Sequence, residues 1–222
     1  MAMTFALPAH AIDWRFEPRV SGSATYSDNV NQSATNKDSG LSLSVTPGFS
    51  LRSEGSRRVQ ATVQYGLTAV SRFGGNDTSD DLYHNLSAAG KAELVEDFLF
   101  VDGTANVSQQ LISLLGSPAD ATVNGSNRTT VGTYSLSPYI LKRLGTFAQA
   151  QARYTASGSI FDSNAASDSS TNTFSAGLSS GTQFNDLSWS LDYYNSKTEY
   201  NRGPDTTFER TSATLGYALS RK

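Results

Sequence analysis

The run Trp14-Arg15-Phe16-Glu17-Pro18-Arg19-Val20-Ser21-Gly22-Ser23-Ala24-Thr25-Tyr26 is two interleaved sequences. Trp14, Phe16, Pro18, Val20, Gly22, Ala24 and Tyr26 hold one parity. Arg15, Glu17, Arg19, Ser21, Ser23 and Thr25 hold the other. Successive side chains of an extended backbone leave on opposite sides, so this period of two predicts a β-strand with one apolar and one polar face. Nine further stretches keep the pattern. Their apolar members include Leu41 to Leu51, Val59 to Ala69, Leu82 to Leu94, Leu99 to Val107, Tyr134 to Ile140, Ala148 to Ala156, Phe174 to Leu178, Leu187 to Tyr193 and Thr211 to Leu219, each at every second position. The spacers are read as alternating between long polar loops and tight turns such as Ser53-Glu54-Gly55-Ser56, Glu96-Asp97 and Arg143-Leu144-Gly145. Strands of roughly ten residues joined in that rhythm are the mark of an outer-membrane barrel. The expected fold class is therefore all-β, an antiparallel transmembrane β-barrel of outer-membrane type with about ten strands.

Composition agrees with a wet interior. Only 37% of the 222 residues are hydrophobic, and mean hydropathy is negative. A barrel with a polar interior needs one apolar face per strand and no more. No run reaches the ~18 apolar residues of a membrane helix. The formal net charge is −3 and there is no basic stripe, which argues against nucleic acid as a partner. Cysteine is absent, which excludes disulfides and thiolate metal sites and suits an oxidising compartment.

Phe5-Ala6-Leu7 followed by Ala9-His10-Ala11 reads as the end of a secretory signal with a small-x-small cleavage site. Residues 1–11 are thus expected to be the remnant of a signal peptide, and 12–222 the barrel. The turns after strands two, four, six and eight would be periplasmic, and the longer loops external. Trp14, Phe16, Tyr26, Tyr65, Phe98, Phe100, Phe147 and Trp189 are candidates for interfacial girdles. Pro47 and Pro138 should sit at strand edges or bulges, close to the periplasmic rim. Ser42-Leu43-Ser44-Val45-Thr46-Pro47 and Tyr134-Ser135-Leu136-Ser137-Pro138 form a weak internal repeat, which hairpin duplication and shared strand grammar explain equally well. The end, Ser220-Arg221-Lys222, lacks the terminal aromatic of a finished barrel. The chain is therefore expected to be the N-terminal part of a larger one, with a closed ten-stranded barrel as the alternative.

Parity assigns a lumen. Arg15, Glu17, Arg19, Gln60, Gln64, Lys91, Glu93, Gln149, Gln151, Arg153, Asp192 and Arg210 are the lumen-facing polar candidates, with Arg52 and Tyr194 beside them. Charge should be confined to this parity, because Arg or Lys facing lipid at the midplane costs roughly 2–4 kcal/mol. No catalytic, cofactor or metal site is expected. Outside residues 1–11 the one histidine is His84, beside Asp80 and Asp81. Its parity groups it with Leu82 and Leu86, away from any cleft, and general acid–base chemistry needs a second group within hydrogen-bond reach. The spacing of Asp77, Asp80 and Asp81 fits no dedicated calcium loop and reads as a solvated acidic loop.

Trp14-Arg15-Phe16-Glu17-Pro18-Arg19, Tyr26-Ser27-Asp28-Asn29-Val30, Val45-Thr46-Pro47-Gly48, Ala92-Glu93-Leu94-Val95-Glu96-Asp97 and Tyr134-Ser135-Leu136-Ser137-Pro138-Tyr139 carry a family resemblance. With them the chain resembles the outer-membrane β-barrel proteins associated with the PEP-CTERM/exosortase system, which accompany exopolysaccharide gene clusters in Gram-negative bacteria. The resemblance implies a non-enzymatic, porin-like component of exopolysaccharide export. The implied partners are outer-membrane lipid, exopolysaccharide and periplasmic export components. It supplies no catalytic residues. The alternative is a non-conducting structural or adhesive surface barrel whose long loops bind a partner.

Overall fold

The structure, a computed structural model, describes residues 12–30, 34–74, 79–113, 127–163 and 166–219. Residues 1–11 and Ser220-Arg221-Lys222, on which the leader and C-terminal expectations rest, lie outside them, as do Asp77 and most of the loop before Asn127. Ten strands follow one another: Asp13–Ser27 (β1), Gly40–Glu54 (β2), Val59–Gly74 (β3), Ser79–Val95 (β4), Leu99–Leu111 (β5), Arg128–Leu144 (β6), Ala148–Phe161 (β7), Ser169–Ser180 (β8), Leu187–Tyr200 (β9) and Thr206–Tyr217 (β10). They form one antiparallel sheet in the order of the chain, each strand paired with its sequence neighbour. β1 and β10 are the two edges and run in opposite directions; the sheet is not closed. No described residue is helical.

Register carries the period of two across the whole sheet. Opposed residues of an antiparallel pair share a face. Phe16 meets Leu51, and Leu51 meets Val63, which meets Ala88. Arg15 meets Arg52, and Arg52 meets Thr62, which meets Ala89. The sheet thus has one mainly apolar and one mainly polar face.

In part of the sheet, burial is inverted relative to a water-soluble domain. Leu41 and Leu43 are 38% and 41% exposed, while Ser42 between them is 3% exposed. Leu136 is 54% exposed and its neighbour Ser137 is 7%. The buried residues among those described are as often polar (Ser42, Arg72, Thr129, Ser137) as apolar (Val30, Val70, Val131, Ala148). The polar face is the more enclosed one along β6 and toward the start of β2 and the end of β3, whereas in the middle of β3, β4 and β5 the polar-face residues Gln60, Gln64, Ser87, Lys91, Thr104 and Asn106 are exposed, and β1 and β10 are exposed on both faces. There is no apolar core between layers, because there is one layer.

The turns explain one rim. The connections 55–58, 96–98 and 145–147 are tight. Gly55 (φ 77°) and Gly145 (φ 60°) supply the left-handed backbone that two of them need, and Asp97 (φ 52°) adopts it in the third. The alternation of loop lengths is weaker than expected. The connection 201–205 is shorter than 181–186, and 75–78 is no longer than 55–58, because β3, β4 and β9 run on into what reads as polar loop. Strong contrast comes only from 28–39 and 112–127.

Both internal prolines correct the sequence reading. β2 and β6 are interior strands, and the register shift in the sheet lies elsewhere, between Glu93 and Val95. Pairing with β3 lapses at Thr46 and Pro47, and pairing with β7 lapses at Ser137 and Pro138; it resumes in unchanged register beyond each. A proline cannot donate to the ladder. A side-chain bond spans each gap instead: Thr46 Oγ1 to Thr68 Oγ1 at 2.9 Å and Ser137 Oγ to Thr155 Oγ1 at 2.8 Å. The repeated Thr/Ser-Pro motif therefore has one structural solution used twice.

The expectation about charge also needs amendment. Asp80, Arg128, Lys142, Lys197, Glu199 and Glu209 are in register with residues of the apolar face. All lie within about four residues of a strand end. Between them the apolar face is free of Asp, Glu, Lys and Arg on every strand. On β6 the uncharged run between Arg128 and Lys142 exceeds the roughly 9–11 residues that a membrane-crossing strand requires.

Candidate functional site: the polar wall

All twelve predicted wall residues share the polar face by register. They do not form one cluster. At the β1–β2 end, Arg15 Nε meets Glu17 Oε1 at 2.5 Å and its Nη1 lies 3.7 Å from Glu54. Ser50 Oγ donates to Glu17 at 3.4 Å. Arg19 lies over Gly48, where its Nε would stand 3.3 Å from an added Cβ. Glu93 serves the tight turn: its Oε1 accepts the Asp97 amide at 2.6 Å, beside the register shift. Gln60 faces Lys91, Gln64 faces Ser87, and Gln149 faces Ser179.

Hydroxyl pairs fill much of the remaining wall. Ser23–Ser44, Ser159–Ser169, Thr171–Thr198 and Thr173–Ser196 are bonded across strands at 2.8–3.1 Å, like the two pairs at the prolines. Cross-strand Ser and Thr pairs of this kind stabilise a sheet modestly, and they explain how an enclosed polar face is satisfied.

The most organised feature is a row crossing six strands: Phe100, Tyr139, Arg153, Ser175, Tyr194 and Arg210, each opposed to the next. Phe100 and Tyr139 stack with centroids 5.0 Å apart and planes 16° apart. The Arg153 guanidinium sits 3.8 Å from the Tyr139 centroid, within range for a cation–π contact. It also reaches over β6 to Asp102 Oδ2 at 3.0 Å. Asp102 Oδ1 is buried without a hydrogen-bond partner. Phe100, expected in an outer girdle, instead belongs to the polar wall: its even number places it opposite Leu99 and Val101. Asp102 and Tyr139 were missed as wall residues, although the same parity reveals them.

At the other end of the row, Gln151, Ser175, Gly177, Asp192, Tyr194 and Arg210 surround a hollow of about 310 Å³. Gly177 is its floor, since an added Cβ there would come within 3.1 Å of Asp192 Oδ1. Asp192 Oδ2 accepts from Ser190 Oγ at 2.9 Å. The Tyr194 ring meets Phe208 edge-on, centroids 5.9 Å apart. Among the described residues, Arg210 and the Gln151 amide have no hydrogen-bond or ion-pair partner. Three predicted residues, Gln151, Asp192 and Arg210, therefore converge.

Near the opposite rim, Arg72 is buried and paired with Asp81. Tyr83 joins them: it receives Arg72 Nη2 at 3.0 Å and donates to Asp81 Oδ2 at 2.8 Å. Arg128 lies 5.3 Å over the Tyr83 ring. Asp81 is thus part of an ion-paired cluster, not the solvated acidic loop expected. His84 shares the apolar face with Leu82 and Leu86, and its Nδ1 meets the Tyr65 hydroxyl at 2.8 Å. Its aromatic neighbours run diagonally across the sheet as Phe16, Phe49 and Tyr65. Phe147, Phe184 and Trp189 form a second aromatic group beside the 145–147 turn, with centroids 5.5–5.9 Å apart. Among the described residues there is no group of three potential metal ligands.

No protein-family model matches the chain, and no curated protein sequence matches it.

Proposed function

We propose that this chain is an outer-membrane β-barrel whose polar wall lines a porin-like passage, acting in exopolysaccharide export of the PEP-CTERM/exosortase kind. The observation that carries the membrane reading is a single-layered, two-faced sheet whose apolar face has no second layer over it among the described residues. Large apolar side chains of interior strands stand exposed on one face, with Leu136 at 54% and Leu191 at 51%, while serines, threonines and charged residues occupy the other. A water-soluble protein rarely exposes contiguous apolar patches beyond a few hundred Å². Lipid removes that cost on one side, and enclosed water solvates the other. The uncharged middle of the apolar face and the aromatic group at Phe147, Phe184 and Trp189 fit a hydrocarbon band with an interfacial edge. Closure would bring together β1 and β10, whose opposite directions permit antiparallel pairing, or interpose further strands between them. Association with polysaccharide export rests on the sequence resemblance, and the wall's amides, hydroxyls and paired charges suit a hydrated polyol.

The test is direct. The protein should fractionate with outer membranes and run with heat-modifiable mobility on gels. It should also open steps of discrete conductance in planar bilayers. Leu136→Arg, on the apolar face, should block insertion, while Ser135→Arg, one residue away on the polar face, should insert. Natively folded protein recovered from the soluble periplasm would refute the membrane reading. Insertion without conductance would favour the adhesive or structural barrel instead.

A further inference from the structure

We propose that the hollow over Gly177 is a subsite for one acidic sugar unit, a uronate, of a polysaccharide chain. The inference rests on the proposed passage and names what that passage recognises. The hollow, about 310 Å³ in volume, is of the size that holds a small ligand. Its floor exists because residue 177 has no side chain. Its groups divide by chemistry. Arg210 offers a fork of donors that no carboxylate among the described residues receives, and a guanidinium matches a carboxylate in a bidentate, planar way. Asp192 keeps Oδ1 directed at the floor while Oδ2 holds Ser190, so it can accept a sugar hydroxyl. The Gln151 amide both donates and accepts. Tyr194 supplies an aromatic surface beside Arg210 in the same row. A neutral sugar would give Arg210 hydroxyl acceptors but no charge to pair; a simple carboxylate would pair Arg210 but leave Asp192 and Gln151 without a hydroxyl.

Arg153 is the built-in control. It occupies the same row but is already held by Asp102 and Tyr139. The experiment uses the whole chain folded in detergent micelles, with heat-modifiable mobility confirming the fold of each variant. Oligogalacturonate and a maltooligosaccharide of equal length are titrated calorimetrically, with acetate as a third probe. The uronate should bind more tightly than either of the others, and its affinity should fall with salt, as an incompletely buried ion pair requires. Arg210→Gln should weaken the uronate by about tenfold or more, the loss of a charge-assisted pair, and should leave the maltooligosaccharide within twofold. Gly177→Val should abolish uronate binding by filling the floor. Gln64→Ala, on the wall but outside the hollow, should change nothing. Equal affinity for the charged and neutral oligomers, or indifference to both Arg210→Gln and Gly177→Val, overturns the subsite. Conductance separates this from the broader reading: a conducting protein without uronate preference loses only the subsite, and a non-conducting one that binds uronate through Arg210 loses only the passage.

Discussion

Arg153 and Arg210 lie in one cross-strand row of one polar face, three strands apart, yet only the first is held. Arg153 lies on the Tyr139 ring and reaches across β6 to Asp102. Arg210 stands beside Tyr194, with no acidic partner among the described residues. The same residue type, on the same face and beside a tyrosine in both places, is thus a structural cross-brace in one region and an available donor in the other. The difference comes from one neighbour. Asp102 precedes Gly103 on β5 and points to the polar face two strands away from Arg153. Among the described residues no carboxylate bonds Arg210; Asp192, on the neighbouring strand, bonds Ser190 through Oδ2. The polar face therefore contains both groups that hold the sheet and groups open to solvent, and parity alone does not separate them.

Breaking the brace should produce the largest change. Arg153→Ala leaves the Asp102 carboxylate without either bond, its Oδ1 being already unpartnered. Both side chains are about one-third exposed or less, so water recovers part of the loss. A destabilisation of about 2 kcal/mol is expected, in the range of hydrogen bonds to charged groups. Urea unfolding in micelles measures it. The double variant with Asp102→Ala should be less damaged than the two single changes added together, because it removes the stranded charge. Additive effects would mean that the bond contributes nothing.

A smaller effect is expected between the two, at the seam beside Pro138. Thr155→Val keeps the shape of the side chain and removes the bond to Ser137 across the lapse in pairing. About 1 kcal/mol should be lost, and Thr155→Ser should lose less. If Val is tolerated without cost, the hydroxyl pairs are incidental to holding the proline seams.

Much of this wall was legible beforehand because a strand's faces are a local property. Knowing that Arg15 and Phe16 are adjacent suffices to separate them. All ten strands and the shared face of the twelve polar candidates follow from that. What parity cannot deliver is the offset between strands. Whether Gln151 meets Asp192 or Gln64 depends on pairing distant segments, and only the register brings Gln151, Gly177 and Asp192 into line. Phe100 was misplaced for a different reason: aromatic character was weighed above its even number among odd apolar neighbours. Pro47 and Pro138 were assigned to edges because the loss of a donor was counted without the hydroxyl one residue earlier. The charges at Lys197 and Glu199 break parity near the end of β9, and where a strand ends is a property of the assembled sheet.

The smallest change sharpens the comparison most. Arg210→Ala removes a guanidinium that braces nothing, from an exposed position on β10. Surface substitutions away from buried networks usually stay within about 0.5 kcal/mol, so the urea midpoint should hardly move, in contrast with Arg153→Ala. The reciprocal result is expected from transport. In planar bilayers Arg210→Ala should reduce preference for anions, since it deletes an unpaired cation from the wall. Arg153→Ala should act in the same direction but less per folded molecule, because Asp102 already offsets its charge at 3.0 Å. Reversal potentials across a salt gradient give both numbers on one scale. If Arg210→Ala unfolds the sheet while Arg153→Ala does not, the two arginines have exchanged the roles that their neighbours assign them, and the division of the wall into brace and contact fails.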